Sequence, residues 1–138
     1  MKKNVSPARS ENMRAIRSSG NRTTEIRLKA MLAQRAISGW RLHEKEIPGV
    51  PDFFFSNERA AIFIDGCFWH GCPKCGHIPK TNRAYWRAKI ARNRARDARI
   101  TRRLRRVGFS VVRLWECDLR KRPSTCVRRI QRSLKRAG

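Results

Sequence analysis

Residues 65–77 read DGCFWHGCPKCGH, so thirteen positions hold three cysteines, two histidines, an aspartate and a Phe-Trp pair. Three chemistries compete for them: metal ligation, catalysis, and insertion into a flat partner. Cys67, Cys72 and Cys75 supply three soft ligands, and a Cys-x2-Cys step is a common knuckle for tetrahedral zinc. Cys117, His77 and His70 are the residues available for the fourth place. A site closed by four thiolates leaves no position for water, so it would be structural and would free His70 for other work. Cys126 stands apart and reads as a lone apolar residue on the last helix. Phe68 and Trp69 sit between ligands in a glycine-flanked loop, where side chains do not easily reach a core.

Asp52 follows the turn PGVP, which forces an extended entry into the next segment. PDFFFSNERAAIFIDG reads as a hairpin of two β-prone apolar runs flanking Ser-Asn-Glu-Arg, with a second strand apolar on both faces. Asp52 then opens one strand and Asp65 closes its partner, which makes the two carboxylates neighbours. Two such carboxylates beside an imidazole can hold Mg²⁺ and activate water against a phosphodiester.

The elements that must position these groups follow from periodicity. NRTTEIRLKAMLAQRA predicts a helix with Leu28, Met31, Leu32 and Ala36 on one stripe; Glu25 falls in its first turn, where a carboxylate complements the helix dipole. WRLHEKEI alternates weakly, as an edge strand does. TNRAYWRAKIARNRARDARITRRLRRVG predicts a long helix stopped by Gly108, with Ile90, Ile100, Leu104 and Val107 on one face and arginines over the rest. It crosses over to FSVVRLWE, a strand expected to pair in parallel. PSTCVRRIQRSLKRAG has Val127, Ile130 and Leu134 spaced for a basic amphipathic helix. The order helix, three strands, helix, strand, helix is that of an α/β sandwich.

With 138 residues the chain suits one domain, 1–138, in which residues 1–20 form an N-terminal arm or short helix. Lys plus Arg number 34 against 10 Asp plus Glu, a formal charge of +24. Such a chain calls for a polyanion, and nucleic acid is the first candidate. No run approaches the roughly 18 apolar residues of a membrane-spanning helix, and the N-terminus has no signal-like apolar region. We therefore expect a cytoplasmic, nucleoid-associated protein with no membrane partner, whose clustered cysteines ligate metal in a reducing compartment.

SENMRAI, PGVPDF, GCFWH, YWRAKI and WEC occur in that order between residues 10 and 117. This series resembles the very-short-patch repair (Vsr) endonuclease family. The resemblance implies a restriction-endonuclease-like (PD-(D/E)xK-type) three-layer α/β sandwich with a central mixed β-sheet and a structural zinc site. It places Asp52 at the family's metal-binding aspartate, His70 at its catalytic general base, and Glu25 at the edge of the active site, oriented toward metal-bound water or His70. The Ile64 main-chain carbonyl falls where a further metal ligand arises. Phe68, Trp69 and Trp86 match aromatic residues inserted beside a mismatch from the major groove, and Met13 matches an apolar probe on the N-terminal arm. Cys67, Cys72 and Cys117 match structural zinc positions.

The chain departs from the family where a member carries Thr-His before GCFWH and this sequence has Ile64-Asp65. A histidine able to contact phosphate gives way to a carboxylate, so Asp65 is expected as a second Mg²⁺ ligand. The zinc knuckle is respaced as well, with Cys75 as the expected remaining ligand and His77 as its competitor. The activity implied is Mg²⁺-dependent nicking of one DNA strand 5′ of the thymine in a T·G mismatch, the lesion left by deaminated 5-methylcytosine. Implied partners are the mismatched duplex, mismatch-repair proteins and a cognate cytosine-5 methylase, with the enzyme itself a monomer. The rival readings are a restriction- or homing-type nuclease of the same fold acting on intact duplex, and a non-catalytic zinc-stapled DNA-binding module.

Overall fold

Three consecutive phenylalanines and the run AAIFID are β-prone and apolar on both sides, and they form the two central strands of a four-stranded mixed sheet. The computed structural model describes residues 23–75 and 78–137. The strands are β1 (Trp40–Leu42), β2 (Phe53–Phe55), β3 (Ala60–Asp65) and β4 (Ser110–Trp115), in the order β1-β2-β3-β4. β1 and β2 pair antiparallel, as do β2 and β3. β4 joins β3 in parallel, with Ala60 opposite Ser110 and Asp65 opposite Trp115. The helices are α1 (described over residues 23–34), α2 (Cys67–His70), α3 (Arg83–Arg106), α4 (Glu116–Lys121) and α5 (Pro123–Ala137).

Alternation along the strands divides the core in two. Phe53, Phe55, Ile62, Ile64, Val112 and Leu114 point to one face, where Leu28 and Leu32 of α1 and Val127 and Ile130 of α5 cover them. Phe54, Ala61, Phe63 and Val111 point to the other, against Leu104 and Ile100 of α3. Asp52 precedes Phe53 and Asp65 follows Ile64, so the period of two sets both carboxylates on the α3 face.

The structure corrects several sequence expectations. β1 ends at Leu42 because His43 takes a positive φ of 51° and turns the chain away. Ala36 lies beyond the end of α1 in a turn with φ 58°, so it is exposed and leaves the predicted stripe. Val107 is 55% exposed, since α3 has already ended at Arg106 and Gly108 takes φ 100° just beyond it. Two short helices replace an expected loop and an expected strand end. α4 starts directly after Trp115 with Glu116 and Asp118 in its first turn and Arg120 and Lys121 in its last, charges that match the helix dipole. α2 is one turn, closed by Gly71 at φ 68°; a Cβ there would stand 2.8 Å from Ile90 Cγ2, so only glycine lets the loop press against α3. Among the described residues, no helix is long and apolar enough to cross a membrane. Met13 and the predicted N-terminal arm lie outside the described residues, as does His77.

Candidate catalytic cleft and metal centres

The parallel pairing of β3 and β4 delivers two chain ends to one edge of the sheet, and the cysteines meet there. Cys67 opens α2, Cys72 and Cys75 follow its cap, and Cys117 lies in the first turn of α4. Their four Sγ atoms all fall within 4.8 Å of one another. Cys72 Sγ and Cys117 Sγ are 3.7 Å apart. A tetrahedron with metal–sulfur bonds of about 2.3 Å has edges of about 3.8 Å, whereas a disulfide closes to about 2.05 Å. The spacing fits thiolates around one metal ion. Burial pushes the Cys67 and Cys117 thiols up. Burial acts in the same sense on Cys72, but the amides of Cys75 and Lys74 outweigh it and bring that thiol down. Four thiols so close cannot all ionise without a cation among them. Lys74 and Arg122 both pair with Asp118, which fastens the knuckle to α4. Cys126 lies in the main core, away from this set.

Asp52 is anchored by the backbone of its neighbouring strand, since the Ile64 amide donates to its Oδ2 at 2.7 Å. Glu25 from α1 and His43 from the turn after β1 approach the same place. His43 Nε2 stands 2.9 Å from Glu25 Oε2, and donor atoms of Glu25, His43 and Asp52 lie within 4.8 Å of one another. Burial pushes Asp52 up to about 6, against the pull of the Ile64 amide. A buried carboxylate held above its ordinary value, with a second carboxylate beside it, is a donor set suited to a hard divalent cation. Glu25 is thus brought to Asp52 and His43, and its ion-pair contacts do not include His70.

A second cluster joins Asp65, His70 and Asp97. His70 Nδ1 makes a short hydrogen bond to Asp97 Oδ2 and lies 3.8 Å from Asp65 Oδ1. An ionised carboxylate only accepts, so Nδ1 is the donor in this hydrogen bond. Burial would raise Asp97, but the hydrogen bond and charge of His70 hold its carboxyl below the usual range. Burial raises Asp65 although Arg113 donates to its Oδ1 at 2.9 Å. Asp52, Asp65, His70, Asp97 and Arg113 line one cleft of about 420 Å³, together with Ile64.

Beside the cleft, Phe68 and Trp69 pack edge-to-face with each other and with Trp86, at ring centroid distances of 5.1, 5.4 and 5.9 Å. The two loop aromatics are half-buried. Trp86 is 3% exposed, so it forms the floor on which they rest, and its indole N–H has no partner among the described residues. Tyr85, which packs on Trp86, is the exposed member of the group.

Sequence reasoning passed over His43, Asp97 and Arg113. Asp97 left a signal, being the sole acidic residue of the 24-residue α3. So did Arg113, a charge inside the otherwise apolar run SVVRLW. His43 left none, because its place depends on a turn whose shape the local sequence does not announce.

The family model for DNA mismatch endonuclease Vsr matches residues 3–75. The chain is similar to the type II nicking enzyme V.XorIIP of Xanthomonas oryzae pv. oryzae, 45% identical over 82 residues, which is 58% of this chain and 60% of that protein. It is also similar to the type II nicking enzyme V.NaeI of Lentzea aerocolonigenes, 39% identical over 81% of this chain and 69% of the other. The DNA mismatch endonuclease Vsr of Escherichia coli is 39% identical over 116 residues, 83% of this chain and 72% of that protein. The match spans less than two thirds of the Xanthomonas protein's own length.

Proposed function

Because the chain belongs to the DNA mismatch endonuclease Vsr family, we propose that it nicks one strand of duplex DNA 5′ of the thymine in a T·G mismatch. The observation that carries this reading is the single cleft that gathers Asp52, Asp65, His70 and Asp97 beside an aromatic ledge. On this reading the fold is the restriction-endonuclease-like sandwich of the family, acting as one domain and as a monomer. The protein works in the cytoplasm on deaminated 5-methylcytosine, with mismatch-repair proteins and a cytosine-5 methylase as its functional partners.

The thiol cluster fits zinc, which Cys67, Cys72, Cys75 and Cys117 would hold as a structural ion. Asp52 and Asp65 belong to separate donor clusters that line one cleft with Ile64, and across it Asp52, the Ile64 carbonyl and Asp65, whose Oδ2 is not engaged by Arg113, would hold Mg²⁺, with Glu25 at the edge. When bound, Mg²⁺ supplies charge neutralisation at the scissile phosphate. His70 accepts a proton from the attacking water at Nε2, and the Asp97 carboxylate fixes that tautomer and stabilises the imidazolium. Phe68 and Trp69, backed by Trp86, wedge into the stack, which costs less at a mismatch than at a paired step. Arginines along α3 grip phosphates without regard to sequence.

The test is nicking of strand-labelled T·G duplex by Asp52→Ala and His70→Ala proteins whose zinc content and fold are measured in the same preparations. Both should lose nicking and keep zinc and DNA binding. Zinc loss in His70→Ala would make His70 a ligand and end this division of the loop.

A further inference from the structure

We infer that Arg113 is a catalytic residue that binds the scissile phosphate, and that Asp65 is the residue that aims it. The inference rests on the cleft being the place where DNA is cut, and it adds a group with no part in the mechanism set out so far.

Three carboxylates line this cleft, those of Asp52, Asp65 and Asp97, and a phosphodiester brings a further negative charge into it. The cations lining it are Arg96 and Arg113. Arg96 is exposed, as a phosphate-gripping surface side chain would be. Arg113 is built in. Its Nη1 donates to Asp65 Oδ1 at 2.9 Å, its Nε to Thr101 Oγ1 at 2.8 Å, and its Nη2 to the Asp97 carbonyl at 3.4 Å. The guanidinium also stacks over the Phe63 ring, 4.2 Å from its centroid.

A guanidinium has five N–H donors. Three are engaged by these groups, which leaves one on Nη1, 3.9 Å from Asp97 Oδ1, and one on Nη2 without a hydrogen-bond partner among the described residues. Parallel pairing sets Arg113 opposite Phe63 and Trp115 opposite Asp65, so the side chain reaches along its own face of the sheet toward the carboxylate. Pinned from three sides, it has little rotamer freedom left to lose when an anion arrives.

The experiment measures binding of T·G duplexes in buffer without added divalent cation, with the scissile linkage either natural or replaced by one neutral methylphosphonate. The proteins are wild type, Arg113→Lys, Arg113→Met, and Asp65→Asn/Arg113→Met, which spares the fold a buried unpaired carboxylate. A charge-assisted contact makes the ratio of natural to neutral affinity about tenfold higher in wild type than in either methionine variant. Arg113→Lys, which keeps the charge and loses the fork, should recover part of that ratio while single-turnover nicking in Mg²⁺ falls by roughly 10²-fold. Equal ratios in wild type and both methionine variants would show that Arg113 does not touch this phosphate and would overturn the inference, with wild-type nicking unaffected. Absence of wild-type nicking on the T·G duplex would instead overturn the parent reading, and this one with it.

Discussion

Replacing Asp52 with asparagine is expected to stabilise the metal-free fold at neutral pH while abolishing cleavage. Burial lifts the Asp52 carboxyl from its ordinary 3.8 to about 6. At about 1.4 kcal/mol per tenfold change in proton affinity, that difference amounts to about 3 kcal/mol. The folded state holds the proton more tightly than the unfolded chain. The resulting stabilisation is therefore complete below pH 3.8 and is lost as the pH rises through about 6. An asparagine has no charge to bury, and its carbonyl can still accept from the Ile64 amide. Its advantage over aspartate should be about 3 kcal/mol at pH 8 and about half of that at pH 5. Urea melts of both proteins at the two pH values, with zinc retained and no Mg²⁺ added, measure the difference directly. Added Mg²⁺ should then stabilise wild type and leave Asp52→Asn where it was. A less stable variant, or a gain equal at pH 5 and pH 8, would refute the reasoning from burial.

Asp97→Asn should lower single-turnover nicking by roughly 10³-fold, because charges about 4 Å apart at an effective dielectric of ~20 attract by about 4 kcal/mol; quench-flow on T·G duplex measures it, and an unchanged rate would remove Asp97 from the mechanism. Trp86→Ala should cost about 3–5 kcal/mol of folding stability by thermal melt, since that ring is buried, whereas Trp69→Ala should cost less and act mainly on mismatch preference. Metal analysis should find about one zinc per chain, and Cys117→Ser should lose it and unfold, because a structural site supplies folding energy. Cys126→Ser, a polar change in the core, should lower stability by about 1–3 kcal/mol and keep the zinc.

Local pattern was enough to read the hairpin, the crossover and the amphipathic helices, because each declares its period over several residues. Asp52 at a strand start and Asp65 at a strand end were visible on those grounds, and so was the convergence of Cys67, Cys72 and Cys117, which the structure gathers with Cys75. What stayed hidden depends on contacts between elements distant in sequence. His70 meets Asp97 across 27 residues, and Arg113 meets Asp65 across 48. The one-turn helix α2 was unreadable because four residues carry no period. It nonetheless separates the two clusters of the loop, sending Cys67 to the other thiols and His70 to Asp65 and Asp97. The burial of Trp86 follows from the way α2 leans on α3 at Gly71, a packing that its own segment does not encode.

The cleft and its aromatic ledge are proposed to select a T·G mismatch over a paired step. Single-turnover cleavage of strand-labelled duplexes identical except for one pair, T·G, T·A or C·G, tests it most directly in Mg²⁺. The account predicts one nick, 5′ of the thymine in the T·G duplex, formed far faster than any product from the other two, with that preference lost in Trp69→Ala while salt-dependent binding persists. Equal cutting of all three duplexes, or double-strand breaks in the paired ones, would contradict it.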